Sequence, residues 1–105
     1  MTDAELNLAI HTEVELWEPY NTMPDGTVLY VNPDKNLGYQ PMGIDYCHDR
    51  AWCNAKQEKH KLEPMWHIGW TWRVYLWNHP GECVGNDSSL CRAIALAVLE
   101  LHRRK

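Results

Sequence analysis

Phenylalanine is missing from this 105-residue chain, lysine and arginine are outnumbered by acids, and nowhere do about 18 apolar residues run together. The lack of an apolar run excludes a membrane-spanning helix in the sequence given. A formal net charge of −4 at pH 7 argues against nucleic acid or an anionic membrane as partner, because a sequence-independent grip on either neutralises many phosphates. The basic "LHRRK" at residues 101–105 is a local exception. The opening "MTDAELNLAI" carries acids where a secretory leader carries lysines, so a soluble, cytoplasmic protein is expected. There is no glycine-rich phosphate loop, zinc signature or serine elbow, and with them goes the simplest case for an enzyme.

Four cysteines are present, Cys47, Cys53, Cys83 and Cys91. Without an export signal they read as reduced, small apolar packing residues rather than a disulfide framework. For metal their spacings are poor, since tetrahedral zinc is usually wrapped by loops of two to four residues. His79 with Cys83 is the best remaining pair, and a turn histidine beside a packed thiol explains it more simply. No metal or cofactor is expected.

The elements follow from periodicity and turn residues. Residues 3–17 read as an amphipathic helix with Leu6, Ile10, Val14 and Trp17 on one face, capped by Thr2 or Asp3 and ended by Pro19. "EPYNTMPDGT" reads as turn, and "TVLYV" (27–31) as a strand closed by Asn32 and Pro33. "NPDKNLGYQPMG" reads as a long loop. Asp45 is expected to cap a second helix reaching about residue 62, with Cys47, Ala51, Ala55 and Leu62 inward. "NHPGECVGNDSS" is a further turn-rich stretch. After it Asp87 or Ser88 caps a last helix, "SLCRAIALAVLELHRRK", apolar nearly all round and therefore covered on most sides.

Between these lies "WHIGWTWRVYLW", residues 66–77, which holds four of the chain's six tryptophans. Its period is two: Trp66, Ile68, Trp70, Trp72, Val74 and Leu76 share one face, His67, Gly69, Thr71, Arg73, Tyr75 and Trp77 the other. As one straight strand it would run roughly 40 Å at about 3.3 Å per residue, too long for so small a domain. A bulge or tight hairpin at Gly69 is expected. The even face reads as a core wall, with Trp66, Trp70 and Trp72 supplying the volume that phenylalanine does not. Helix, strand, helix, hairpin or bent strand, helix gives one α+β domain over residues 1–105, a small, mainly antiparallel sheet covered by helices.

The odd face points to binding. Trp77 and Tyr75 beside Arg73 and His67 can stack a planar ligand and pair with its anionic groups, Arg50 and Arg92 being further candidates. A cross-strand cluster or a Trp, Tyr and Arg-rich protein interface accounts for the same residues. Tyr20, Tyr30, Tyr39 and Tyr46 anchor loops or, with Arg50, Trp52 and Arg92, rim a pocket. Asp45, His48 and Asp49 share one expected helical turn, but capping explains them better than acid–base chemistry.

"DSSLCRAIALAVLEL" resembles the C-terminal signature of small bacteriophage proteins with the phage α-β-α (ABA) sandwich domain, the NinX-like accessory proteins. "DAELNLAIHTEVELW", "GIDYCHDRAW" and "WTWRVYLW" agree with it in element order. The tryptophan density departs from the pattern, as does Gly43–Ile44–Asp45 where a serine-threonine step is usual. The resemblance implies an α/β/α sandwich and a phage source, and no chemistry. Together these readings give a non-enzymatic phage accessory protein that binds a small nucleotide-like signal in an anti-defence role. The alternative is a protein–protein module that inhibits or adapts a host or phage protein through its aromatic face. Self-association as a homo-oligomer fits either.

Overall fold

The computed structural model describes residues 1–32, 37–41, 43–77 and 79–104, with 37–41, 79 and 80 described by backbone alone. Contacts divide the protein into two compact units, Met1–Asp45 and Tyr46–Lys105. Each holds a three-stranded antiparallel sheet. The class is α+β, with two sheets in place of one.

In the first unit, α1 (Asp3–Ala9) starts at Thr2. The Thr2 hydroxyl accepts from the Glu5 N–H and the Glu5 carboxylate accepts from the Thr2 N–H, a reciprocal cap. Leu6, Ala9 and Ile10 form its buried stripe. The helix does not reach Trp17. Ile10–Val14 widens into a π-helical turn, with the Glu15 N–H donating to the Ile10 carbonyl, and Leu16 (φ 59°) turns left-handed. Pro19 is therefore not the terminator. It lies in β1 (Glu18–Thr22), a strand where a turn was expected. The turn itself is Met23–Gly26, closed by the Gly26 N–H on the Met23 carbonyl at 2.9 Å, with Gly26 at φ 92°. β2 (Val28–Asn32) is the expected strand, and the expected loop contains β3 (Leu37–Pro41). β2 is central between β1 and β3. Pro33 lies outside the described residues.

In the second unit Asp49, not Asp45, caps α2 (Arg50–His60), its Oδ1 accepting from the Trp52 N–H at 3.0 Å. Asp45 belongs to the first unit, where it accepts from Asn7 Nδ2 at 3.2 Å. The later start changes the inner face. Ala51 and Ala55 are exposed, Cys53 is the helix's buried residue, and Cys47 and Leu62 are buried on either side of it in sequence. Lys61 (φ 53°) ends the helix in the left-handed region, so Leu62 opens a strand.

β4 (Leu62–His67) and β5 (Thr71–Leu76) form a hairpin, and β6 (His79–Asp87) pairs along the other side of β5. β6 takes up most of the stretch that reads as turn. α3 (Leu90–Arg103) is capped by Ser89 rather than Asp87 or Ser88: Ser89 Oγ accepts from the Arg92 N–H, and Asp87 Oδ1 from the Ser89 N–H at 2.9 Å. As expected, α3 is buried over most of its girth. It meets β6 at Gly85, where a Cβ would press on the Ala93 carbonyl oxygen and lie 3.0 Å from the Ala97 Cβ. The outer strands β1, β3, β4 and β6 each hold one proline, Pro19, Pro41, Pro64 and Pro80, while the central strands hold none.

Candidate functional site

The β4–β5 turn settles how residues 66–77 bend. The Trp70 N–H donates to the His67 carbonyl at 3.0 Å, leaving Ile68, Gly69 and Trp70 as a three-residue loop. Such loops put their last residue in the left-handed region, which suits glycine. Here that residue is Trp70 (φ 60°), and Gly69 stands one place earlier. An L-residue held there is strained by roughly 1–2 kcal/mol.

Register then fixes the faces. Leu62, Pro64 and Trp66 lie opposite Leu76, Val74 and Trp72, so the expected even-numbered face exists. Its burial fades along the hairpin. Leu62 and Val74 are sealed at the base, Trp72 is half-buried, and Trp66 is 48 % exposed. Trp70 is 76 % and Ile68 98 % exposed. The core-wall reading therefore fails for Trp66 and Trp70, because the hairpin runs past the apolar cover that seals its base. The indoles cover one another instead: Trp66 meets Trp70 edge-on with centroids 6.0 Å apart and tilts against Trp72 at 5.3 Å. Met65, also exposed, adjoins this tip in sequence. The inward placement expected for Ile68 on the even face fails as well, because Ile68 is the first residue of the three-residue loop and lies beyond the paired strands.

The opposite face gathers three expected binding residues. Tyr75 Oη lies 3.4 Å from His67 Nε2, the rings 6.2 Å apart. Arg73 is exposed on that face, opposite Met65 on β4 and Asn86 on β6. Trp77 follows the end of β5 and is 61 % exposed. Its N–H donates to the Lys61 carbonyl at 3.0 Å, and it lines a hollow of about 260 Å³ with Lys61, Leu62 and Glu63. Two further expected residues lie on the helices. Arg50 is exposed at the first position of α2, and the Arg92 guanidinium is engaged by Asp87, Nε to Oδ2 at 3.1 Å.

The tyrosines of the expected rim differ in exposure and belong to both units. Tyr30 is buried in the first unit and Tyr46 in the second, Tyr20 is exposed, and the Tyr39 side chain lies outside the described residues. Asp45, His48 and Asp49 do not share a helical turn, since α2 begins only after them. All four cysteines are free thiols. Cys83 is exposed, its Sγ donating to the Gly85 carbonyl at 3.2 Å. Burial, reinforced by Cys91, pushes the Cys53 thiol well above its usual range, which suits packing and not nucleophilic attack. Among the described residues no three His, Cys, Asp or Glu side chains gather as metal ligands. The His79 side chain, half of the His79–Cys83 pair, lies outside them. No described helix is long and apolar enough to cross a membrane.

No protein-family model, characterised protein or solved structure matches this chain.

Proposed function

We propose that the protein works by binding, as a non-enzymatic accessory protein, and that it docks another protein through the apolar tip of the β4–β5 hairpin. One observation carries this reading: an isoleucine left almost wholly in water in the hairpin loop, beside exposed tryptophans that meet edge-on. Isolated exposed apolar residues are ordinary, but a contiguous aromatic patch marks an interaction surface. Tryptophan is also the residue type most enriched among interface hot spots.

The tip offers roughly 300 Å² of apolar surface, judged from the size of its aromatic side chains. At about 25 cal/mol per Å² that is a gross gain near 7 kcal/mol, which the loss of translational and rotational freedom largely offsets. The tip is thus an anchor within a larger contact, for which about 800 Å² per partner is usual. Retention of one stoichiometric partner from host lysate by the wild type, and its loss with Ile68→Ser plus Trp70→Asn, is the expected result. Equal retention by both proteins refutes the reading. Light scattering of the purified chain separates the case in which the partner is a second copy.

A second reading is favoured by the exposure of Arg73 and Trp77: capture of a nucleotide-like signal, with Tyr75 and His67 alongside Arg73. Quenching of tryptophan fluorescence by cyclic or linear nucleotides, lost in Arg73→Ala and Trp77→Ala, supports it. Silence toward all of them removes it. The source and setting, a phage protein acting in the host cytoplasm against a defence, rest on the resemblance of residues 87–101 to the ABA sandwich proteins.

A further inference from the structure

We propose that, until a foreign partner takes it, the hairpin tip of one molecule rests in the cleft between α1 and β2 of a second copy. The inference rests on the tip being a docking surface, and it gives that surface a resting partner that others must displace. The cleft has a volume of about 640 Å³, and the residues lining it all belong to Met1–Asp45. Ala4, Leu8, Val28 and Ile44 give it apolar walls, and Tyr30 is a buried member of its lining. A Cβ on Gly26 or Gly43 would meet no atom within 4 Å, so the rim is open there. Spaces of roughly 300–1,000 Å³ hold drug-sized molecules, and an isoleucine side chain with one indole is no larger. Ile68 and Trp70, the most exposed large apolar side chains among the described residues, gain from such a cover.

Charge decides between the possible arrangements. Eight acids and one lysine fall in Met1–Asp45, and six acids against nine lysines and arginines in Tyr46–Lys105, giving formal net charges of −7 and +3. The overall charge of −4 conceals this division. Two tips meeting each other would bring two positive units together, which like-charge repulsion opposes. A tip entering the cleft brings the positive unit of one copy to the negative unit of the other, so the encounter is steered and the pairing favoured. The tip and the cleft surface under it bury about 600 Å² together, half of the usual minimum for a stable interface. A partner with a fuller fit therefore displaces the second copy.

Sedimentation velocity of the full chain from about 10 μM to 1 mM is the test. The wild type is expected to self-associate, and raising salt from about 0.01 to 1 M, which shortens the screening length from about 30 to 3 Å, should weaken the contact. Ile68→Ser plus Trp70→Asn removes the tip, and Ala4→Trp fills the cleft from an exposed position on α1. Each should self-associate about tenfold or more weakly, with circular dichroism matching the wild type. Leu8→Asn, which strips one apolar wall, should act in the same direction. An equimolar mixture of the tip variant and Ala4→Trp should recover association, because the first supplies a cleft and the second a tip. The inference is overturned by a wild type that stays monomeric at about 1 mM, by association that strengthens with salt, by Ala4→Trp or Leu8→Asn associating as well as the wild type, or by a mixture no better than its parts. A monomeric wild type whose tip still retains a lysate partner overturns this inference and leaves the docking reading standing. Tip-dependent self-association with nothing retained from lysate supports the second copy as the tip's partner and removes the foreign one.

Discussion

Replacing Ile68 by serine and Trp70 by asparagine together should leave the stability of the second unit almost unchanged, although two large apolar side chains are removed. Full burial of an isoleucine side chain contributes about 1.5–3 kcal/mol, but Ile68 withholds only the remaining few per cent of its surface from water, so its loss is worth about 0.1 kcal/mol or less. At position 70 two effects oppose. Asparagine tolerates the left-handed conformation better and relieves part of a strain of roughly 1–2 kcal/mol. Loss of the edge-on contact with Trp66 removes about 0.5–1.5 kcal/mol. The net change should stay within about 1 kcal/mol of zero. Val74→Ala, at the sealed base of the same hairpin, should by contrast destabilise by around 2 kcal/mol or more through cavity formation. Urea denaturation followed by far-UV circular dichroism, analysed at a common m-value, measures all three. A loss above about 2 kcal/mol in the double variant, or a Val74→Ala no worse than it, would show that the indole cluster is a core element after all.

Gly85→Ala should destabilise by roughly 1–3 kcal/mol because backbone of α3 must move to admit the methyl group, whereas Gly81→Ala, whose Cβ meets open space, should change stability by no more than about 0.5 kcal/mol in the same assay. Similar values for the two would mean that α3 does not seat on Gly85. His11 is fully buried, its ring stacked on Trp17 at 5.2 Å and edge-on to Tyr30 at 4.8 Å; burial lowers its pKa from the usual 6.5, with Glu15 partly opposing. The unfolded chain then takes up the proton first, so stability present above about pH 6.5 should fall with acidification at up to about 1.4 kcal/mol per pH unit. His11→Phe should lack that component, and parallel pH profiles would contradict it. Among the thiols, Cys83 should react with Ellman's reagent in the native state, while Cys47, Cys53 and Cys91 wait for unfolding; four equally fast thiols would disprove the burial described.

Strong periodicity was legible and weak periodicity was not. β2 and β5, the central strands, are the proline-free, β-branched and aromatic runs, and the two-residue period of β5 places Trp72, Val74 and Leu76 on the face expected. β1, β3 and β6 look like turn or loop in sequence because prolines, glycines and asparagines are frequent in them, and outer strands tolerate what inner strands do not. Capping was legible in kind but not in position, since Asp45 and Asp49 are equally good caps on paper and only the fold gives one to Asn7 and the other to Trp52. The parity of residues 66–77 says which side chains share a face, not how far along the hairpin that face stays covered. Exposure of Trp66 and Trp70 was therefore beyond it.

A proline in each outer strand leaves one residue there without a backbone N–H, and proline is one of the devices that blunt sheet edges against a foreign strand. Neither sheet is then a good template for open-ended growth, and that guards a molecule which displays bare indoles to solvent. Fibrillation should be slow even at concentrations where sticky tips meet often.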